Sequence, residues 1–170
     1  LSSVLPIKGT YCTVGIRADV VRQNFHGTIT DVDAVGAALA SAGVDAYFAL
    51  ASFKDSSSRK VDNAEYLRSF FLDLDCGTGK PYVDQAAAAQ ALKIFLVATS
   101  LPEPYVVNSG GGLHVYWPLT EDVPVDVWRP YAKALKKLCS DHNLHADPAV
   151  TADAARILRI PNTQNYKHGT

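Results

Sequence analysis

The sequence contains no methionine, only three cysteines and no long apolar run. Cys12, Cys76 and Cys139 are odd in number and form no CxxC pair, which argues against a disulfide framework and for a reducing compartment. No stretch approaches the roughly 18 consecutive apolar residues that cross a membrane. The N-terminus also lacks the charged and then apolar segments of a signal peptide. We therefore expect a cytoplasmic protein.

The 170 residues are 48% hydrophobic and 19% charged, a composition typical of globular proteins that excludes a disordered chain. A chain of this length buries roughly 70% of its unfolded surface, so it needs no disulfide or metal to fold as one domain. Because it has no methionine, starts at Leu1 and stops abruptly at Thr170, we expect it to be a fragment of a longer protein.

Charge is unevenly distributed along the chain, although the formal net charge is only −1. Residues 1–128 carry a net charge of −5 and residues 129–170 a net charge of +4. An acidic body with a basic C-terminal quarter suits carboxylates that hold a metal and cations that hold phosphates. An ordinary lysine-rich surface helix would produce the same imbalance.

Hydrophobic periodicity and turn residues predict alternating strands and helices. From Tyr66 onward the order is β, α, β, β, α, β, which is the split βαβ arrangement of RRM-like domains. We thus predict a single α+β domain, with a small N-terminal αβ lobe (1–60) packed beside an RRM-like lobe (61–170). The predicted strands are Tyr11–Arg17, Val44–Ser52, Arg68–Asp75, Tyr105–Asn108, Leu113–Trp117 and a last one within 147–161; the helices are Asp33–Ala42, Asp84–Leu101 and Val125–His142.

The sharpest chemical signal is Asp73-Leu74-Asp75, at the end of an apolar strand. Side chains at i and i+2 leave a strand on the same face, about 7 Å apart at their Cα atoms. Two carboxylates held so close at the edge of a core repel each other, and a hard divalent cation such as Mg²⁺ or Mn²⁺ relieves that repulsion. A solvated strand end would carry the same residues.

A glycine-rich hairpin follows, in which Ser109 and His114 flank three glycines. Glycines let the backbone approach a phosphate, whose oxygens the two side chains could bind. The alternative is a hairpin that contains a histidine satisfied within the fold.

The C-terminal segment adds two carboxylates and three cations: Asp147, Asp153, Arg156, Arg159 and Lys167. Arginine grips phosphate through two parallel hydrogen bonds, and lysine acts as a point charge. The alternative is a salt-bridged surface segment.

Taken in order, these three motifs resemble those of the archaeo-eukaryotic primase superfamily, in its phage and plasmid primase–polymerase branch. The resemblance runs from Phe70 to Lys167, through FFLDLDCGTGKPY, VVNSGGGLHVYWPL and DPAVTADAARILRIPNTQNYK. It implies a DNA primase and polymerase that acts in the cytoplasm of a bacterial host by a two-metal mechanism with Mg²⁺ or Mn²⁺. The implied partners are a single-stranded DNA template, a primer, NTPs or dNTPs and a helicase region beyond residue 170.

By position, the resemblance implies that Asp73, Asp75 and Asp147 are the catalytic metal ligands. It also implies that the nucleotide phosphates are bound by Ser109, His114, Arg156, Arg159 and Lys167. The sequence departs from the family at Gly112, where many relatives have serine, and at Asn162, where the branch usually has glycine. Asp153 is an alternative third ligand.

Other interpretations stay open or are set aside. The segment from Cys76 to Pro81 is too short for a P-loop, and Pro81 stands where a serine or threonine must hold Mg²⁺. Cys139, His142 and His145 lack a fourth zinc ligand.

A nuclease of the rolling-circle type would need a His-hydrophobic-His triplet, which is absent, whereas a non-catalytic RRM-like module would not need converging carboxylates. The helical lysines Lys133, Lys136 and Lys137 either contact the template or form a solvated face.

Overall fold

The computed structural model describes residues 1–166, which form two four-stranded antiparallel sheets and three α-helices. The strands are β1 (Tyr11–Arg17), β2 (Val20–His26), β3 (Asp45–Ala49), β4 (Ser52–Phe53), β5 (Ala64–Asp75), β6 (Tyr105–Asn108), β7 (Gly112–Pro124) and β8 (Ile157–Arg159). The helices are α1 (Ile29–Ser41), α2 (Gln85–Thr99) and α3 (Val125–Asp141), and a 3₁₀ turn spans Val61–Asn63. The predicted α+β class is confirmed. Among residues 1–166, none of the helices combines the length and the apolar character needed to cross a bilayer.

The first sheet has the order β2-β1-β3-β8, with α1 packed against β1 and β3. Thr28 begins α1 as its N-cap, because its hydroxyl oxygen accepts a hydrogen bond from the Asp31 N–H at 3.1 Å. The sequence did not predict β2. Its hairpin turn consists of Ala18 and Asp19, both with positive φ, instead of the Asn-Gly or Gly-rich pair that usually signals such a turn.

The second sheet has the order β4-β5-β7-β6, and β5 is its central strand. Leu72 and Leu74 of β5 pack in an apolar core with α2 residues such as Leu92. Phe71 lies on the opposite face, in the core that also contains Phe48 of the first sheet. Asp73 follows Phe71 by two residues and so shares its face, which directs the carboxylate toward the first sheet.

The last strand lies in a different sheet from the one expected. The order β5, α2, β6, β7, α3, β8 matches the predicted series, and β5, β7 and β6 are neighbours as in a split βαβ unit. β8, however, pairs with β3 of the first sheet, and β4 occupies the free edge of β5. A buried ion pair joins the two strands, because the Arg159 guanidinium of β8 lies 2.7 Å from Asp45 of β3. The polypeptide therefore crosses between the sheets just before β4 and again after α3.

β7 is also longer than predicted, since it continues beyond Trp117 to Pro124. Pro118, the first residue beyond the predicted strand, pairs with Ser69 beside a register shift in β5. Proline is tolerated within a sheet at such a bulge.

Gly112 sits where β7 begins and comes into very close contact with β5. A Cβ added at Gly112 would overlap the backbone carbonyl of Leu74, because the two strands approach each other more closely there than a side chain allows. The close contact leaves no room for a side chain at this position.

We expect Gly112→Ala to lower the free energy of unfolding by about 1–3 kcal/mol, because the two strands must separate to admit a methyl group. Thermal unfolding measures this loss. The matched control is Gly27→Ala, since an added Cβ at Gly27 meets nothing within 4 Å. Equal melting temperatures for the two variants would show that the strands are not in such close contact.

Candidate active site

The site forms where β5 ends and β7 begins. Asp73 pairs in register with His114, and Asp75 pairs with Gly112. The carboxylate of Asp73 therefore lies beside the His114 imidazole, with 3.9 Å between Oδ1 and Nε2. Both side chains are largely buried between the sheets: 17% of the Asp73 side chain and 6% of the His114 side chain are exposed.

Asp73 carries an unfavourable charge. Burial, followed by the negative charge of Asp75, raises the pKa of Asp73 to about 7. Asp147 acts in the same direction, whereas the Arg156 and Lys80 cations oppose it. The charges of Asp75 and Asp147 thus disfavour the ionised form of Asp73, which is the kind of repulsion that the sequence predicts between neighbouring carboxylates.

Asp147 is held at this strand end by the backbone. Its N–H donates to the Asp73 carbonyl at 2.8 Å, so the loop after α3 lies against the last residues of β5. Its carboxylate accepts from the Ala149 N–H at 2.8 Å through Oδ1, while Oδ2 lies 3.8 Å from the Arg156 guanidinium.

Asp153 has a different role in the structure. Its Oδ1 accepts from the N–H of Ala155 at 2.9 Å, and its carbonyl accepts from the N–H of Arg156 at 3.2 Å. Asp153 thereby forms the turn that presents Arg156.

Lys80 is a site residue that sequence reasoning missed. Its ammonium lies 2.7 Å from Oδ2 of Asp75, so Asp75 and Asp147 each have a cationic neighbour, while Asp73 faces His114. The available signal is the Gly-Thr-Gly-Lys run that begins two residues after Asp75, although this run does not fit a P-loop.

The carboxylates at this strand end do not converge on a single point where a metal ion would bind. In the part of the chain that the structure describes, no three Asp, Glu, His or Cys side chains come together closely enough to hold an ion. The donor set nevertheless fits a hard divalent cation, because it consists of carboxylate oxygens, one of them buried and destabilised by the others. An ion would replace the cations that now neutralise Asp75 and Asp147.

His114 is a neutral hydrogen-bond donor. Burial, followed by the charges of Arg159 and Arg156, lowers the pKa of His114 to about 4, so its contact with Asp73 is not an ion pair near neutral pH. The hydroxyl of Tyr116 lies 3.4 Å from Nδ1. Burial raises the pKa of Tyr116, which keeps the phenol protonated and able to donate to Nδ1. A phenol that donates to Nδ1 places the ring proton on Nε2, the nitrogen that faces Asp73.

The hairpin that precedes His114 is fixed by its own backbone. The Ser109 N–H donates to the Gly112 carbonyl at 3.0 Å, and the Asn108 side chain accepts from the N–H of Gly110 at 2.8 Å. The Ser109 carbonyl accepts from the Asn165 amide at 3.3 Å, which joins the hairpin to the C-terminal segment.

The predicted basic residues are placed very differently from one another. Arg156 is about one-third exposed beside Asp147, where it can reach a ligand. Arg159 is 7% exposed, and its guanidinium donates to Asp45, to the Tyr47 hydroxyl and to the Gln164 carbonyl. Lys167 lies outside the described residues.

A cavity of about 640 Å³ adjoins the carboxylates. Asp75 and Asp147 line it together with Lys136 and Cys139 of α3. Its volume falls within the usual range for small-molecule sites, about 300–1,000 Å³. Of the three helical lysines, Lys136 lines this cavity, whereas Lys137 donates to Asp141 at 2.5 Å.

The comparisons with known proteins agree with this arrangement at the level of the fold. No protein-family model matches the sequence, and no curated protein matches it. The structure is similar to the AEP domain of the primase-polymerase (PrimPol) of cyanophage S-2L, with a TM-score of 0.67 and 19% sequence identity. The similarity covers 95% of this chain and 78% of that chain. The chain therefore has a fold like that of a primase–polymerase domain, as the three motifs predicted.

The two arginines should differ sharply in their contributions to stability. Arg159→Ala leaves Asp45 with an unpaired and largely buried charge, so we expect a loss of about 3 kcal/mol in the free energy of unfolding. Arg156→Ala removes an exposed contact, which is worth at most about 1 kcal/mol. Urea unfolding of both variants measures the difference, and similar losses would contradict the assignment of Arg159 as the structural member.

Proposed function

We propose that this protein is a template-directed nucleotidyltransferase, with DNA primase and DNA polymerase activity in phage or plasmid replication. The observation that carries the proposal is the group of Asp73, Asp75 and Asp147 at the end of β5, beside a buried histidine. The similarity to a primase–polymerase domain supports it. On this proposal, β5, α2, β6, β7 and α3 correspond to an RRM-like palm, and the first sheet covers its catalytic face.

The three carboxylates would hold two Mg²⁺ or Mn²⁺ ions. Such ions lower the pKa of the attacking 3′-hydroxyl and stabilise the leaving pyrophosphate oxygen. Asp73 and Asp75 contribute from one strand, and the Asp147 backbone is hydrogen-bonded to that same strand, so the ligands share one rigid support. Positioning and charge neutralisation supply most of the catalysis in phosphoryl and nucleotidyl transfer.

The basic residues would bind the triphosphate. His114 would donate its Nε2–H to a phosphate oxygen, a charge-assisted hydrogen bond that needs no positive imidazole. Arg156 would grip a second phosphate bidentately. Ser109 and Lys167 are proposed as further phosphate ligands, and Arg159 would act mainly by holding the segment that carries Arg156.

The template and primer would lie along the exposed side of the site. The lysines of α3, Lys133, Lys136 and Lys137, are exposed and would meet the phosphates of single-stranded DNA. Primer extension and primer-independent synthesis on single-stranded DNA test the function, with Mg²⁺ or Mn²⁺ and with NTPs or dNTPs. Metal-dependent incorporation that EDTA abolishes is the expected result.

Asp73→Asn should abolish incorporation and leave the fold intact. Because the variant removes a buried charge that repels Asp75 and Asp147, we expect its melting temperature in EDTA to equal or exceed that of the wild type. A calorimetric scan and a primer-extension assay on the same preparation measure both effects.

Asp75→Ala provides a second inactive variant with a more exposed side chain. Near-normal incorporation by either variant with Mg²⁺ or Mn²⁺ would falsify the metal assignment. A marked loss of thermal stability in Asp73→Asn would indicate instead that this carboxylate is structural.

Asp147→Asn should reduce incorporation far more than Asp153→Asn. The Asp147 backbone is hydrogen-bonded to Asp73 of β5, whereas Asp153 caps its own turn and acts through the position of Arg156. We expect at least a hundredfold loss of kcat for Asp147→Asn, equivalent to about 2.7 kcal/mol. For Asp153→Asn we expect mainly a higher KM for the nucleotide. The reverse ranking would identify Asp153 as the third ligand.

A further inference from the structure

Directly after β5 the chain makes a glycine turn whose ends are both anchored. Gly77 and Gly79 have φ values of +117° and +74°, a backbone conformation that favours glycine. The Cys76 N–H donates to the Gly111 carbonyl at 2.9 Å, and the Gly77 N–H donates to the Tyr82 carbonyl at 2.9 Å. The turn is thus held against the hairpin before His114 while its tip is exposed.

This turn carries Lys80 to the carboxylates. The Lys80 N–H donates to the Gly77 carbonyl at 3.0 Å, which closes the turn, and the side chain reaches back so that Nζ lies 2.7 Å from Oδ2 of Asp75. The hydrogen bond and charge of Asp75 raise the pKa of Lys80, and Asp73 and Asp147 contribute in the same direction. The ammonium therefore lies within the field of all three carboxylates.

The position that Lys80 occupies is one that a metal ion requires. A divalent ion binds a carboxylate oxygen at about 2.0–2.1 Å, and its charge repels an ammonium held at the same oxygen. Lys80 is about half exposed, and its long side chain gives up this contact at little cost. Because both ends of the turn are anchored, the released ammonium stays beside the cleft. A phosphate oxygen is the kind of anion that the ammonium would bind there.

We propose that Lys80 is an exchangeable cation of the active site, which neutralises Asp75 in the metal-free protein and binds a phosphate oxygen of the nucleotide once a divalent ion takes Asp75. The inference rests on the proposed function and adds to it a phosphate ligand to which the resemblance assigns no role. It also gives a role to the glycine turn that does not fit a P-loop.

Two equilibrium measurements on Lys80→Met test the proposal. Without nucleotide, Mn²⁺ binding followed by electron paramagnetic resonance should tighten by about two- to fivefold, because the competing ammonium is gone. With Mn²⁺ present, calorimetric titration of dATP should show binding weakened by about tenfold. Lys80→Arg, which keeps the charge, should stay close to the wild type in the second measurement.

The control is Lys93→Met, which removes an exposed lysine from α2. It should leave Mn²⁺ and dATP binding unchanged. Opposite shifts in Lys80→Met, at an unchanged melting temperature, support the exchange. Any other result for Lys80→Met, including a change in only one affinity, overturns it. If the wild type neither binds Mn²⁺ nor incorporates nucleotides, the proposed function fails as well, whereas an active wild type with an indifferent Lys80→Met removes Lys80 alone.

Discussion

Negative charge buried at the end of β5 is the constraint around which the rest of the site is arranged. Asp73 lies between two apolar cores, and its pKa rises because burial and the neighbouring Asp75 both disfavour its ionised form. The two cations nearby reduce that cost. Lys80 lies at Asp75, and Arg156 lies near Asp147, while the imidazole beside Asp73 stays neutral. A protein without a use for this charge would be more stable with Leu or Asn in place of Asp73.

A second ion pair, between Arg159 and Asp45, accompanies the placement of β8 in the first sheet. The two residues are 114 positions apart in the sequence, and their contact joins β8 to β3. Arg156 lies just before β8, and its guanidinium lies 3.8 Å from Asp147. The two arginines therefore have different roles, although the motif alone would assign the same role to both. The buried one fixes the backbone, and the more exposed one faces the site.

Local signals explain which parts of the fold and site could be predicted. Asp84 as the N-cap of α2, the apolar run of β5 and the glycine turn before His114 are each readable within about ten residues of sequence. β2 could not be predicted, because Ala18 and Asp19 adopt the left-handed backbone without a glycine. The sheet that receives β8 could not be predicted either, because it depends on pairing with β3, a strand about 110 residues earlier in the chain. Lys80 could not be predicted from its own segment, because only the fold of the glycine turn brings its ammonium back to Asp75.

On the proposed function, the neutrality of His114 would separate two kinds of phosphate recognition within one cleft. A buried imidazole with its proton on Nε2 can orient a phosphate oxygen but cannot offset its charge. Charge compensation must then come from groups that stay ionised, and the structure supplies these on exposed side chains, Arg156 and Lys80. Exposed cations pay little desolvation when the nucleotide is absent, whereas a protonated His114 would have to be buried beside Arg156 and Arg159. A buried neutral histidine would orient the phosphate, and the exposed cations would balance its charge. With this division the site would remain stable in the absence of a nucleotide.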